Sequence, residues 1–137
     1  TGPMASTLTM IPAAIAAGFG ELGKHGSIIN PEFGSSFRLS AVLTDAPLPL
    51  SKPQSHGVDD FCTACRVCED ACPPFAILPE KKNVRGIKKW YVDFDRCLPF
   101  FNQHQVCGIC IAVCPWSLPG VGLNLAEKLE RKKNRVN

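Results

Sequence analysis

The stretch CTACRVCEDACP sets Cys62, Cys65, Cys68 and Cys72 at intervals of two, two and three residues, with Pro73 directly after. Thiolates at this spacing bind iron–sulfur cubanes. A cubane presents neighbouring iron corners to one tight loop, so two-residue intervals let successive sulfurs reach them while backbone amides turn inward. The fourth cysteine is carried away by a short helix and ligates a second cluster. Cys107, Cys110 and Cys114, followed by Pro115, repeat the latter half of the motif. With Cys72 handed to it, this second cluster still lacks one ligand. Cys97 is the only cysteine left, separated from Cys107 by the nine residues LPFFNQHQV. The count therefore closes as two [4Fe–4S] clusters. Cys62, Cys65, Cys68 and Cys114 serve the first, and Cys72, Cys97, Cys107 and Cys110 the second, with LPFFNQHQV as an inserted loop.

Other uses of these cysteines fit less well. All eight lie between positions 62 and 114, whereas a secreted disulfide scaffold spreads its cysteines over the fold. Zinc sites pair their thiolates as two separated C-x₂-C units. The C-x₂-C-x₂-C-x₃-C-P run is instead that of bacterial ferredoxins. In the inserted loop, Phe100 and Phe101 are expected to keep water from the second cluster and so tune its potential. His104 is not needed as a ligand. It, His25 and His56 read as surface or hydrogen-bonded histidines without companion ligands.

The elements that must position these cysteines follow from pattern. RVCEDAC and GICIAVC each end at a Cys-Pro and read as single helical turns stopped by proline. WYVDFD reads as a strand. In the cysteine-free first part, MIPAAIAAGFG reads as a buried helix closed by glycine. FRLSAVLT alternates, which predicts a strand with Phe37, Leu39, Ala41 and Leu43 on one face. DAPLPLSKPQSHG, with its three prolines, is an extended connector. GFGELG matches the dinucleotide fingerprint, but that motif needs a strand before and a helix after. Here a helical segment precedes and turn residues follow, so the glycines end a helix.

Charge and hydropathy exclude other classes. The final segment from Val121 carries five Lys/Arg against two Asp/Glu, which accounts for the whole net charge of +3. The rest is balanced, so the folded part lacks the basic footprint of a nucleic-acid protein, and the tail reads as a solvated amphipathic helix. No apolar run approaches membrane-spanning length. The chain starts at Thr1 with no signal peptide, which leaves a cytoplasmic location, or an unknown one if an upstream export signal has been lost.

The text before the cysteines is informative. GFGELGKHGSIINPEFGSSFRLSAVLTDAPLPL, followed by the two cysteine motifs in order, closely resembles the C-terminal half of cobalamin-dependent reductive dehalogenases, with epoxyqueuosine reductases as more distant relatives. The resemblance spans roughly residues 10–120. It implies an α/β domain that holds a corrinoid, two cubanes that relay electrons to its cobalt, and removal of halide from an organohalide. It also implies a substrate-pocket role for Arg38, on the strand before the cysteines; an ion pair to Glu32 or Asp45 is the plain alternative. Most of the corrinoid domain, and the family's tyrosine proton donor, would lie upstream of Thr1, so the chain resembles a fragment or one subunit of a split enzyme.

The expected architecture is therefore α+β. A two-[4Fe–4S] bacterial ferredoxin-like module (61–118) is preceded by a fragment of an α/β corrinoid-binding domain plus linker (1–60) and followed by a basic helical tail (119–137). The expected function is electron transfer through two [4Fe–4S] clusters as the iron–sulfur part of a reductive dehalogenase-like oxidoreductase, the chain alone not being catalytic. Cobalamin enters only with the missing upstream domain. Partners are that corrinoid-binding domain or subunit and a low-potential electron donor, with no nucleic acid and no membrane span. The alternative is a stand-alone ferredoxin-type carrier without a catalytic site.

Overall fold

A computed structural model describes residues 9–136. Helix α1 (Met10–Ala16) is rich in alanine, the best helix former. Its end is built as sequence suggests: Gly18 takes φ +73°, its N–H reaches Ile15 O, and the Phe19 N–H reaches Ala14 O, the paired bonds of a glycine-closed helix end. The helix is not buried, however, because none of its residues is fully shielded from solvent.

Two short strands follow, β1 (Glu21–Leu22) and β2 (Ile28–Ile29), paired antiparallel. Helix then strand is the reverse of the dinucleotide-binding order, and the glycines of GFGELG serve the turn. At Gly20 a Cβ would stand 2.3 Å from Ile29 O. Glu21 then does structural work at a distance. Its Oε2 accepts the N–H groups of His56 and Val58, at the start of α2 (Val58–Ala64). A carboxylate there satisfies orphan donors and complements the helix dipole.

Helix α3 (Val67–Asp70) and α5 (Ile109–Ala112) are the two proline-stopped turns expected from sequence, and they pack side by side. Between them stands the hairpin β3 (Lys82–Val84) and β4 (Ile87–Lys89), closed by Arg85 and Gly86, both at positive φ. That two-residue turn matches the twist of paired strands.

Three sequence expectations are corrected. FRLSAVLT is not a strand: no described residue pairs with it, and Val42 and Leu43 are 89% and 93% exposed. An alternating pattern specifies a strand only when a neighbour supplies the ladder. Only its start is anchored, where Phe37 packs edge-on against Phe19 and Phe33. WYVDFD contributes a single bridge, Val92 to Ile77, before the chain turns into α4 (Phe94–Gln103). That helix replaces the inserted loop. Asp93 caps it by accepting the Asp95 N–H at 3.1 Å, and Cys97 lies in its first turns. Apolar residues at 94, 97, 98 and 101 carry the helical period that signalled it.

A short 3-10 turn (Pro115–Ser117) leads into α6 (Val121–Val136). This is the amphipathic tail helix expected from its charge pattern. Leu125, Ala126 and Leu129 face a core of Ile29, Val58, Cys62, Trp90, Cys114 and Trp116. A second core holds Cys68, Cys72, Ala76, Ile77 and Val92, with Cys97 and Cys110 against it. Most of the apolar interior thus surrounds cysteines.

The early segment is locked onto this core. A Cβ at Gly34 would stand 2.6 Å from Trp116 O, and the Ser35 hydroxyl donates to Ile28 O at 2.8 Å. Lys24 is 2% exposed. Its Nζ lies 3.2 Å from Glu69 of α3 and 4.9 Å from the centre of the Trp90 ring. Removing one partner of a buried pair leaves an uncompensated charge and costs about 3–5 kcal/mol. Glu69→Gln is therefore expected to lower unfolding stability by about 3 kcal/mol, measured by denaturant titration at fixed iron content. The apolar double replacement Lys24→Met with Glu69→Leu should recover most of that loss. A change well below 1 kcal/mol in the single variant would show that the pair is solvated.

Candidate metal centre

Every cysteine lies in a short helix or within two residues of one. Cys62 lies in the last turn of α2 and Cys65 just beyond it; Cys68 lies in α3, and Cys72 follows it. Cys97 is in α4, Cys107 and Cys110 flank and occupy the start of α5, and Cys114 precedes the 3-10 turn. None is paired in a disulfide. Short helices separated by tight turns bring sulfurs close together without a continuous scaffold.

The thiols sort through space into two groups. Cys62 feels the charge of Cys114 and Cys65, and Cys68 that of Cys62, Cys114 and Cys65. Cys97 feels Cys72 and Cys107, while Cys110 feels Cys72, Cys107 and Cys97. Cys114 stands with the early cysteines and Cys72 with the late ones. Cys68 also feels Cys110 of the other group.

Burial and mutual repulsion make these thiols hard to ionise without a cation. Burial foremost pushes Cys62 up to about 11, Cys68 to about 12 and Cys110 to about 11. Cys97 and Cys114 are raised for the same reason. Backbone donors work in the opposite direction. Lys24 N–H points to Cys62, Trp116 and Ser117 N–H groups to Cys114, and Ile111 N–H to Cys110. The Ala76 N–H donates to Cys72 Sγ at 3.4 Å. Such donors stabilise thiolate over thiol. Buried thiols supplied with amide donors suit a positively charged inorganic core.

The spacing of the groups favours a cluster over a lone ion. Among the described residues, no three His, Cys, Asp or Glu side chains converge closely enough to hold one metal ion, whereas tetrahedral zinc needs its sulfurs at about 2.3 Å. The second quartet instead surrounds a cavity of about 280 Å³, walled also by Ile77, Val92 and Phe100. This space fits one four-iron cluster beside Cys72, Cys97, Cys107 and Cys110, and the other four cysteines supply the donor set of a second.

Of the residues expected to shield the second cluster, Phe100 lines that cavity, while Phe101 is half-buried outside its lining. His104 is exposed and stacks on Phe100 with ring centres 4.0 Å apart. Arg38 lies exposed in the irregular stretch and makes no ion pair with Glu32 or Asp45 among the described residues. The structure brings it to neither quartet.

His25 is the residue that sequence reasoning missed. It is hydrogen-bonded, one of the two expected alternatives, but it is not at the surface: it is 7% exposed and lines the same cavity as Cys72, Cys97, Cys107 and Cys110. Burial lowers its pKa to about 4, so the ring is neutral at pH 7. Lys24 was missed too. Neither has a local signal, because both meet their partners only when the β1–β2 turn docks on the cysteine region.

Comparison with known proteins agrees with this geometry. Residues 61–118 match the 4Fe-4S dicluster domain. The chain is 38% identical over 120 residues to a tetrachloroethene reductive dehalogenase of Desulfitobacterium hafniense, covering 78% of this chain and 22% of that protein. Its counterpart in Sulfurospirillum multivorans is 36% identical over 76% of this chain and 23% of its own length. The epoxyqueuosine reductase of Escherichia coli is 32% identical over 77% of this chain and 29% of its own. Among solved structures, the catabolic reductive dehalogenase NpRdhA, in complex with 3-bromo-4-hydroxybenzoic acid, superimposes with a TM-score of 0.75 at 30% identity. The match covers 87% of this chain and 18% of that one. A second reductive dehalogenase, described for B12-dependent dehalogenation, gives 0.73 at 27% identity, covering 91% of this chain and 20% of its own. The chain thus spans about a quarter of the length of the curated relatives it matches. No helix among the described residues is long and apolar enough to cross a membrane. Residues 61–118 are a 4Fe–4S dicluster domain, and the chain is a homologue of the iron–sulfur region of the reductive dehalogenases, a module that transfers electrons through two [4Fe–4S] clusters.

Proposed function

We propose that this chain is the electron relay of a corrinoid-dependent reductive enzyme of the dehalogenase type. Cys62, Cys65, Cys68 and Cys114 hold one cluster, and Cys72, Cys97, Cys107 and Cys110 the other. The observation that carries this reading is the crossed sorting of eight unpaired, buried or half-buried thiols into two quartets. The protein supplies thiolates, amide donors and exclusion of water, and the redox chemistry belongs to the clusters. Electrons enter from a low-potential donor and leave toward a corrinoid-binding domain formed in part by residues 1–60. A bound corrinoid supplies the cobalt chemistry that removes halide. Support for a covering neighbour comes from Val42, Leu43 and Leu50, each at least 89% exposed, since apolar surface of this kind marks interaction sites. Arg38, exposed on the same stretch, contributes to the substrate pocket.

Reconstituted under anaerobic conditions, the chain is expected to bind about eight irons, four per Cys₄ site. A count near four would show that Cys97 does not close the second site. The crossover has its own signature. Cys114→Ala should damage the cluster of Cys62, Cys65 and Cys68, and Cys72→Ala the cluster of Cys97, as followed by electron paramagnetic resonance. Each variant harming only its sequence-local cluster would reject the assignment.

The chain by itself should accept electrons yet release no halide, even with cobalamin added. Combined with a corrinoid-binding domain it should turn over, and Arg38→Ala in that assembly should impair turnover while both cluster signals persist. Robust dehalogenation by the chain alone would overturn the relay reading. Failure of every corrinoid-binding domain to couple would leave a stand-alone carrier.

A further inference from the structure

The β1–β2 turn carries a feature that ligand counting leaves unused. His25 Nδ1 accepts the Ser27 N–H at 3.2 Å. A neutral imidazole has one donor and one acceptor nitrogen, so the ring proton is on Nε2. That Nε2 is buried and has no hydrogen-bond partner among the described residues. A buried donor left without an acceptor costs about 1–3 kcal/mol, and such groups are rare enough to need a reason. His25 is among the residues that line the half-open cavity beside the second quartet, whose natural contents, thiolate and sulfide, are acceptors.

The position of the ring is fixed by its neighbours. A Cβ at Gly23 would stand 2.9 Å from His25 Cε1 and 3.1 Å from Nε2, so glycine leaves the room in which the imidazole sits. A Cβ at Gly26 would meet Val92 Cγ2 at 2.9 Å, which shows the turn pressed against another wall of the same cavity. The Ser27 bond sets the rotation of the ring. Gly23 beside the ring and the Ser27 N–H behind it fix the imidazole within the β1–β2 turn.

We propose that His25, from outside the cysteine motifs, donates a hydrogen bond through Nε2–H to the cluster held by Cys72, Cys97, Cys107 and Cys110, and raises its reduction potential. Reduction adds one negative charge to the cluster, and a fixed donor in a water-poor site interacts more strongly with the reduced form. Hydrogen bonds to cluster sulfurs are among the protein's levers on potential. His25 is a tuning residue, and no thiolate depends on it for ligation. This inference rests on the cluster assignment above, and iron content keeps the two apart: about eight irons in the variants upholds that assignment whatever His25 does.

The test compares His25→Phe, which fills the space without a donor, with His25→Gln, whose amide restores one. Potentials of both clusters are read in redox titrations of the reconstituted chain by electron paramagnetic resonance. His25→Phe should make one cluster about tenfold harder to reduce, ~59 mV for a single electron, leaving the other unmoved. His25→Gln should recover most of the difference. Unchanged potentials, equal shifts in both clusters, or a glutamine variant that behaves like phenylalanine would overturn the proposal. Should His25→Phe fail to assemble, electron–nuclear double resonance on the unmutated chain with ¹⁵N-histidine decides the matter. One reduced cluster should show a coupled histidine nitrogen and an exchangeable deuteron, and their absence would refute the bond.

Discussion

Eight buried or half-buried cysteines gathered in one small module cannot all carry charge unless positive charge lies between them, and the rest of the chain is arranged around that constraint. Burial pushes Cys62, Cys68 and Cys110 to about 11, 12 and 11, so the protein alone favours neutral thiols. Iron reverses the preference, and binding of metal and ordering of the fold become one equilibrium. The two apolar cores are built from cysteines as much as from isoleucine, valine or tryptophan. Strands of two or three residues cannot supply a sheet core, so the clusters act as staples for a module that is small by the standard of self-sufficient domains.

The crossed ligation proposed for the two clusters would make the module a single cooperative unit. Cys114 returns to the first quartet and Cys72 is sent to the second, so neither half of the sequence completes a site unaided. The exchange is made by α3 and α5, short helices that lie side by side and stop before Pro73 and Pro115. The same packing brings Cys68 and Cys110 near each other across the boundary.

What could be read from sequence was whatever is encoded locally. The cysteine spacing, the proline stops, the glycine-closed end of α1 and the amphipathic α6 all follow from intervals within a few residues. Local pattern also misled. Alternation at 37–44 looked like a strand, yet alternation describes a face without supplying a partner. The irregular cysteine spacing makes the segment between Cys97 and Cys107 read as a loop, whereas Asp93 and the apolar residues at 94, 97, 98 and 101 encode a capped helix as far as Gln103. His25 and Lys24 were illegible for a different reason. Each gains its meaning from residues some tens of positions away, Glu69 and Trp90 for one and the second quartet for the other.

These two neighbours show why the segment before α2 belongs to the site. The Lys24 amide points to Cys62 of the first quartet, and the next residue, His25, borders the second. One turn therefore touches both groups of thiols, held there by Glu21 at the start of α2, by the Lys24–Glu69 pair and by Gly34 against Trp116. Beyond Phe37 the chain leaves the core and displays Val42, Leu43 and Leu50 to solvent. Anchorage and exposure sit on one continuous stretch, with few residues between them.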